Sequence, residues 1–153
     1  MTTPTAQERL LSALQTATNR LEYLTQNDWH LIADKAEQLT FKKGAKLLHQ
    51  GSQTKSVYLL VKGTALIQSD SKTKIAQIGP GEICGEMAFL EQGNASATVI
   101  AEEDIDAFAV HWSALEDLFG LYPHLASRFY RSLAVSLSRR LRQQILPKPA
   151  SKS

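Results

Sequence analysis

Residues 81–99 read GEICGEMAFLEQGNASATV, and this stretch carries the clearest indication of the fold. It joins two short apolar segments through glycines and a polar loop. Glycine is typical of tight corners because it adopts positive φ without steric cost. No lysine or arginine lies between Gly81 and Asp117. The same span carries nine carboxylates: Glu82, Glu86, Glu91, Glu102, Glu103, Asp104, Asp106, Glu116 and Asp117. The middle of the chain is therefore acidic.

Short apolar segments continue on both sides of this stretch, from Phe41 onward, and glycines separate them. The segments read KLLHQ, SVYLLV, TALIQ, KIAQI, ATVIA and DAFAV. Many short strands with glycine turns are typical of an antiparallel sandwich or barrel. The pattern predicts an α+β fold whose sheet part has about eight antiparallel strands.

Two helices are predicted before the strands. The first begins with a capping box at Thr5–Glu8, and the second with one at Thr25–Asp28. Apolar residues recur at helical spacing after the first box: Leu10, Leu14, Ala17, Leu21 and Leu24. The second helix has Trp29, Ile32, Ala36 and Leu39 on one face.

Two more helices are predicted after the strands. The shorter spans Trp112–Phe119 and is ended by Gly120 and Pro123, and the longer runs from about Pro123 to Ile145. Its apolar residues step by four: Leu125, Phe129, Leu133, Leu137 and Leu141. This stripe either packs on the strands or, with a second apolar edge at Tyr130, Ala134 and Ile145, pairs with a second copy. We predict a homodimer through this helix.

Composition bounds the function. The 153 residues, 43% hydrophobic, predict about one globular domain. The net charge of +2 and the basic residues between Arg128 and Lys152 favour only non-specific contact with nucleic acid. A lone cysteine, Cys84, and the lack of a long apolar run or signal-peptide core indicate a cytoplasmic protein without a membrane partner.

Catalytic and metal sites are not expected. The four histidines show no metal-ligand spacing, so no metal is predicted. A nucleophile elbow and a Walker lysine loop are absent from the sequence, so the protein is not predicted to be an enzyme.

Four spaced motifs carry a family resemblance: FKKG (41–44), HQG (49–51), VYLLVKG (57–63) and GPGEICGEMA (79–88). Together with the order of helices and strands, they resemble the cyclic nucleotide-binding domain across Leu24–Ile145. The resemblance implies a jelly roll (a double-stranded β-helix) flanked by helices. It divides the chain into an N-terminal helix (1–23), the domain (24–145) and a flexible tail (146–153).

The resemblance also implies a phosphate-binding cassette. Its glutamate, Glu86, would accept a hydrogen bond from the ribose 2′-hydroxyl, and Gly85 would let the backbone approach the sugar. The amides of the short helix that opens at Glu86, Met87 and Ala88 would face the phosphate. Ser96 and Ala97 follow the position of the arginine that pairs with the phosphate in this family. Glu86 also has a purely structural interpretation, as a buried cap of the cassette helix.

That arginine is replaced by Ala95. A hydrogen bond to a charged group contributes about 1.5–3 kcal/mol, and an uncompensated buried charge costs roughly 3–5 kcal/mol. Affinity for a cyclic nucleotide should therefore fall by about two to three orders of magnitude. Arg139 or Arg140 on the last helix would compensate if either faced the pocket. The alternative is that both are solvated cations near a helix C-terminus.

Three functions are open at this point. The first is a stand-alone regulatory sensor that binds a cyclic nucleotide or another anion weakly and acts on a protein partner. The second is a ligand-free adaptor or dimerisation module. The third is a transcription regulator of the catabolite-activator type. It is disfavoured because the sequence ends where a helix-turn-helix would begin, and specific nucleic-acid binding is not predicted.

Overall fold

The computed structural model describes residues 2–145, so the predicted tail at 146–153 lies outside the described residues. Five helices and eight strands form in this part of the chain. The helices are α1 (Ala6–Thr16), α2 (Gln26–Asp34), α3 (Glu86–Glu91), α4 (Trp112–Leu121) and α5 (Pro123–Ile145). The strands are β1 (Glu37–Phe41), β2 (Lys46–Leu48), β3 (Ser56–Lys62), β4 (Ala65–Gln68), β5 (Lys74–Ile78), β6 (Ile83–Cys84), β7 (Thr98–Ala101) and β8 (Ile105–His111).

The strands form two antiparallel four-stranded sheets, ordered β1-β8-β3-β6 and β2-β7-β4-β5. One apolar core fills the space between the sheets, with Leu60, Ile78 and Ile105 at its centre. A second core lies between the first sheet and the helices and includes Leu59, Phe89 and Phe129. The predicted antiparallel jelly roll with N-terminal and C-terminal helices is confirmed.

Two predicted helices are too long. α1 ends at Thr16, and Ala17 is already extended. Leu21 and Leu24 are buried but lie outside any helix. A spacing of three or four also arises wherever an irregular segment returns repeatedly to the same core, so the periodicity was misleading here. α2 similarly ends at Asp34, and Leu39 lies in β1.

The predicted signals at the helix ends are met to different degrees. Thr25 and Asp28 form the reciprocal capping box, as predicted. At α1 only half of the predicted capping box forms: the Thr5 hydroxyl accepts a hydrogen bond from the Glu8 backbone N–H, and the reciprocal bond is not among those of the described residues. Gly120 does not end α4, which continues to Leu121. An exposed helical glycine costs only about 1 kcal/mol, so one such residue is tolerated near a helix end.

An ion pair joins α2 to α5 in the helical layer. The Arg128 guanidinium donates two hydrogen bonds to the buried Asp28 carboxylate, at 2.7 and 2.8 Å. These bonds hold the pKa of Asp28 below its usual value, against the opposing effect of burial. The start of α5 is thereby fixed to the N-terminal helices. Within residues 2–145, no helix is both long and apolar enough to cross a bilayer.

α1 docks against the turn before β6 through Gly81. This glycine has a φ of +81°, and a Cβ built on it would lie 2.1 Å from the Ala13 carbonyl oxygen. The turn therefore requires glycine both for its backbone conformation and for the close approach of α1. Gly44 has a similar φ of +87°, but a Cβ there would meet no atom within 4 Å.

Gly81→Ala is therefore expected to destabilise the fold far more than Gly44→Ala. The left-handed backbone costs an alanine about 1–2 kcal/mol at either site. Only Gly81→Ala must also displace α1, which buries Leu10 and Leu14. Its total cost should be at least about 3 kcal/mol, since each buried leucine contributes about 1.5–3 kcal/mol. Urea unfolding of the two variants measures the difference, and equal losses would show that α1 is not held at this contact.

Candidate functional site

A cavity of about 400 Å³ opens between the second sheet, α3 and the last turns of α5. Its wall contains most of the cassette segment, which we define as residues 85–97. The lining residues from the cassette are Gly85, Glu86, Met87, Ala88, Ala95, Ser96 and Ala97. The others are Leu48, Ile67, Ile75, Cys84, Val99, Leu137, Arg140, Leu141 and Gln144. The fold thus brings eight of the nine predicted site residues, all but Arg139, to one cavity.

Gly85 sets the entry into α3. It adopts a φ of +86°, and an added Cβ would lie 3.1 Å from the Ser56 carbonyl oxygen. The left-handed backbone favours glycine, and an added Cβ would be tight against strand β3, so glycine allows the chain to pass close to the sheet here. The next residue, Glu86, is consequently placed at the floor of the cavity at the first turn of α3.

Glu86 is a buried carboxylate with one partner. Its exposed fraction is 4%, and its Oε1 lies 3.4 Å from Nη1 of Arg140. Its Oε2 has no hydrogen-bond partner among residues 2–145. Burial raises the pKa of Glu86, while the neighbouring Arg140 charge opposes that rise. The carboxylate thus has an unused acceptor oxygen in the wall of the cavity.

Arg140 and Arg139 point to different surroundings. Arg140 lines the cavity and is largely covered, with 14% of its side chain exposed. Arg139 lies outside the cavity, where it donates a hydrogen bond to the Arg20 carbonyl at 2.8 Å and pairs with Glu22. Of the two candidates for a compensating cation, only Arg140 has the required position, so the candidacy of Arg139 is wrong on geometric grounds.

Ala95 is held firmly at the position where the resemblance implies an arginine. Its N–H donates to the Ser52 carbonyl at 3.0 Å, and its carbonyl accepts from the Gly51 N–H at 2.9 Å. Only 5% of the residue is exposed, and it lines the cavity. The neighbouring Ser96 is exposed, and its hydroxyl lies 3.8 Å from the Met87 sulfur. No cation therefore enters the cavity from the cassette.

Several lining residues were not singled out from the sequence as site residues. Gln144 lies at the mouth and donates to the Ile75 carbonyl at 3.4 Å. Leu137 and Leu141 were predicted only as parts of the helical stripe. The helical period does contain a signal, because Arg140 follows Leu137 by three residues and Gln144 follows Leu141 by three.

Among the described residues that line the cavity, no side chain outside the Glu86–Arg140 pair is a reactive group. Burial raises the pKa of the Cys84 thiol, so it stays protonated and unreactive. In residues 2–145, no cluster of three His, Cys, Asp or Glu side chains is arranged to hold a metal ion. The arrangement is suited to reversible binding of a small molecule.

Comparison with known proteins agrees with this geometry. A sequence model of the cyclic nucleotide-binding domain matches residues 38–122. Cyclic GMP-binding protein C of Dictyostelium discoideum is 27% identical over 80% of this chain, which covers 5% of that protein. The cyclic AMP receptor protein of Thermus thermophilus is 30% identical over 67% of this chain, which covers 48% of that protein. The chain thus spans half or less of these two relatives.

A solved structure shows the same fold over nearly the whole chain. A cyclic nucleotide-binding domain from Methylobacillus flagellatus superposes with a TM-score of 0.78 and is 21% identical. The alignment covers 95% of this chain and 85% of that one. At this identity the likeness establishes the architecture, including helices on both sides of the jelly roll.

Proposed function

Because the chain belongs to the cyclic nucleotide-binding domain family, we propose that it is a regulatory sensor domain with weakened recognition of cyclic nucleotides. A small ligand would occupy the cavity between the cassette segment and α5. Ligand binding would change the position of α5, and a protein partner would respond to that position. The observation that carries this proposal is the position of Arg140. This residue of α5 contacts the cassette glutamate, Glu86, inside the cavity.

The cavity fits one end of a cyclic nucleotide better than the other. Glu86 offers a buried acceptor oxygen to a ribose hydroxyl, and Gly85 allows close approach of the backbone. At the phosphate end, Ala95 supplies a methyl group where a guanidinium is expected. Arg140 is not free to take the place of that guanidinium, because Arg140 is already paired with Glu86. These contacts support weak binding through the sugar.

Ligand binding would move α5 by shifting a population. A donor bonded to Oε2 of Glu86 draws negative charge away from Oε1 and so weakens the 3.4 Å contact of Oε1 with Arg140. Such a ligand would therefore favour conformations in which the end of α5 has moved away. Such a shift requires only that the ligand bind the two arrangements with different affinity. The start of α5 is fixed by Asp28, so the movement would be concentrated in its last turns.

Titration of the wild-type protein with cyclic AMP and cyclic GMP tests the proposal. We expect dissociation constants near the millimolar range, about two to three orders of magnitude above those of a cavity with the phosphate cation in place. At saturation, amide hydrogen exchange in residues 137–145 should increase while exchange in residues 123–130 stays unchanged. Arg142→Ala, which removes an exposed cation outside the cavity, should leave the exchange response intact.

Two results would contradict this function. Micromolar binding by the wild type would show that the missing arginine does not matter. Unchanged exchange at saturation would show that α5 does not sense the cavity. A ligand-free adaptor is the second candidate, and the Glu86–Arg140 contact favours it because that contact pairs the cassette glutamate with a cation without any ligand. Dimerisation through α5 stays a prediction, for which sedimentation is the measurement.

A further inference from the structure

We propose that the preferred occupant of the cavity is an uncharged molecule with an aliphatic body and one hydrogen-bond-donating group, such as an alcohol. This inference rests on the proposed function, which makes the same cavity the ligand site. It goes further in replacing the anionic ligand implied by the family resemblance with a neutral one.

The charges around the cavity argue against an anion. Among the lining residues that the structure describes, Arg140 is the one basic side chain, and Glu86 already pairs with it. The nearby buried carboxylate of Glu82 accepts a hydrogen bond from the Gly79 N–H at 2.7 Å. Burial raises the pKa of Glu82, while this hydrogen bond and then the Arg140 charge oppose the rise. Arg140 thus has its ion-pair partner in Glu86, and Glu82 adds further negative charge nearby. An added phosphate or carboxylate would lose its hydration without gaining a free cation.

The unpartnered oxygen of Glu86 calls for a donor. Oε2 is buried and finds no hydrogen-bond partner within residues 2–145. The Arg140 guanidinium 3.4 Å from Oε1 favours the ionised form of this carboxyl group. An ionised carboxylate only accepts hydrogen bonds, so the complementary ligand group is a hydroxyl or an N–H. One such group satisfies the orphaned oxygen without changing the charge of the site.

The walls and the rim select an aliphatic body. Leu48, Ile67, Val99 and Leu137 form the interior walls, and none of the lining residues is aromatic in the part of the chain that the structure describes. A planar base therefore meets no ring on which to stack. At the mouth, Ile75, Met87 and Leu141 are 38%, 42% and 54% exposed. A flexible aliphatic ligand would cover these three side chains and remove them from water.

Two probes of equal chain length, 1-octanol and octanoate, test the ligand class at pH 7. Chemical shifts of the backbone amides are followed in the full chain as each probe is titrated. We expect 1-octanol to give saturable shifts confined to residues 84–99 and 137–144, with octanoate binding at least tenfold more weakly. Octanoate binding as tightly as the alcohol, or alcohol shifts that spread over the surface without saturating, would overturn the proposal.

A filled cavity provides the control for non-specific partition. Ala97→Trp places an indole at a half-buried position of the cavity wall, while Ser127→Trp adds the same group at an exposed position of α5 outside the cavity. The first variant should lose the saturable octanol shifts and the second should keep them, with equal far-ultraviolet circular dichroism confirming that both fold. Retained binding by folded Ala97→Trp would place the alcohol elsewhere and overturn the proposal.

A displacement experiment separates this inference from the proposed function. Ala95→Arg is loaded with a fluorescent cyclic AMP analogue and titrated with 1-octanol. Displacement of the analogue supports both the proposed function and the neutral ligand class. If Ala95→Arg captures the analogue but 1-octanol does not displace it, only the neutral ligand class is overturned. If Ala95→Arg captures no analogue but the wild type binds octanol, the cyclic nucleotide fit fails and the ligand class stands. Failure of both binding reactions removes both.

Discussion

Ala95→Arg is expected to raise the affinity for cyclic AMP by about two to three orders of magnitude over the wild type. The Ala95 backbone is fixed by its hydrogen bonds to Gly51 and Ser52, and the residue lines the cavity. A guanidinium introduced there would enter a space bounded by the cassette amides and α5. It would supply two donors and a charge to the phosphate, which the paired Arg140 does not supply. Isothermal titration calorimetry of the two proteins measures the change directly.

The matched control is Asn94→Arg. It adds the same charge one residue earlier, at an exposed position that does not line the cavity. Because an exposed charge is screened by solvent and salt, its effect on affinity should stay within a few-fold. Equal gains from both variants would mean that general attraction, rather than a placed guanidinium, governs binding. No gain from Ala95→Arg would show that the cavity no longer has the shape of the cassette pocket.

The sheet part of the fold was predictable because most strands carry their own signal. Six strands coincide with apolar segments bounded by glycines or polar turns. The other two gave weak signals. β1 is mostly exposed and reads EQLTF, and β6 contains only Ile83 and Cys84. Both form strands because β1 pairs with β8 and β6 pairs with β3. This is a long-range effect that local composition does not reveal.

The sequence predicts which cassette residues line the site, but it does not predict the ion pair between Glu86 and Arg140. Glu86 and Arg140 are 54 residues apart, and their contact depends on where α5 packs against the rest of the domain. That position is fixed by Phe129 and Leu133 in the helical core and by the Arg128 ion pair with Asp28. The choice between Arg139 and Arg140 does follow from the stripe, since neighbouring helical residues differ in direction by about 100°. Only Arg140 lies beside Leu137.

Phe89→Ala is expected to lower the free energy of unfolding by about 3–5 kcal/mol, the usual cost of truncating a buried phenylalanine. Phe89 is 2% exposed and belongs to α3, the helix that opens at Glu86. Its ring lies 5.9 Å from that of Trp112 and 6.2 Å from that of Phe129, and it stacks on Tyr130. This one side chain therefore joins the cassette to α4 and α5.

Leu90→Ala is the matched control, since Leu90 is the next residue of α3 but is 39% exposed. Its loss should cost less than about 1 kcal/mol in urea unfolding. Phe89→Leu, which keeps part of the apolar volume, should fall between the two and stays measurable if the alanine variant does not fold. Because Phe89 also couples α3 to α5, its truncation should weaken the exchange response of residues 137–145 to bound ligand even where the fold is retained. A Phe89→Ala protein as stable as Leu90→Ala, with an undiminished response, would mean that the cassette and α5 communicate through the Glu86–Arg140 contact without the aromatic cluster.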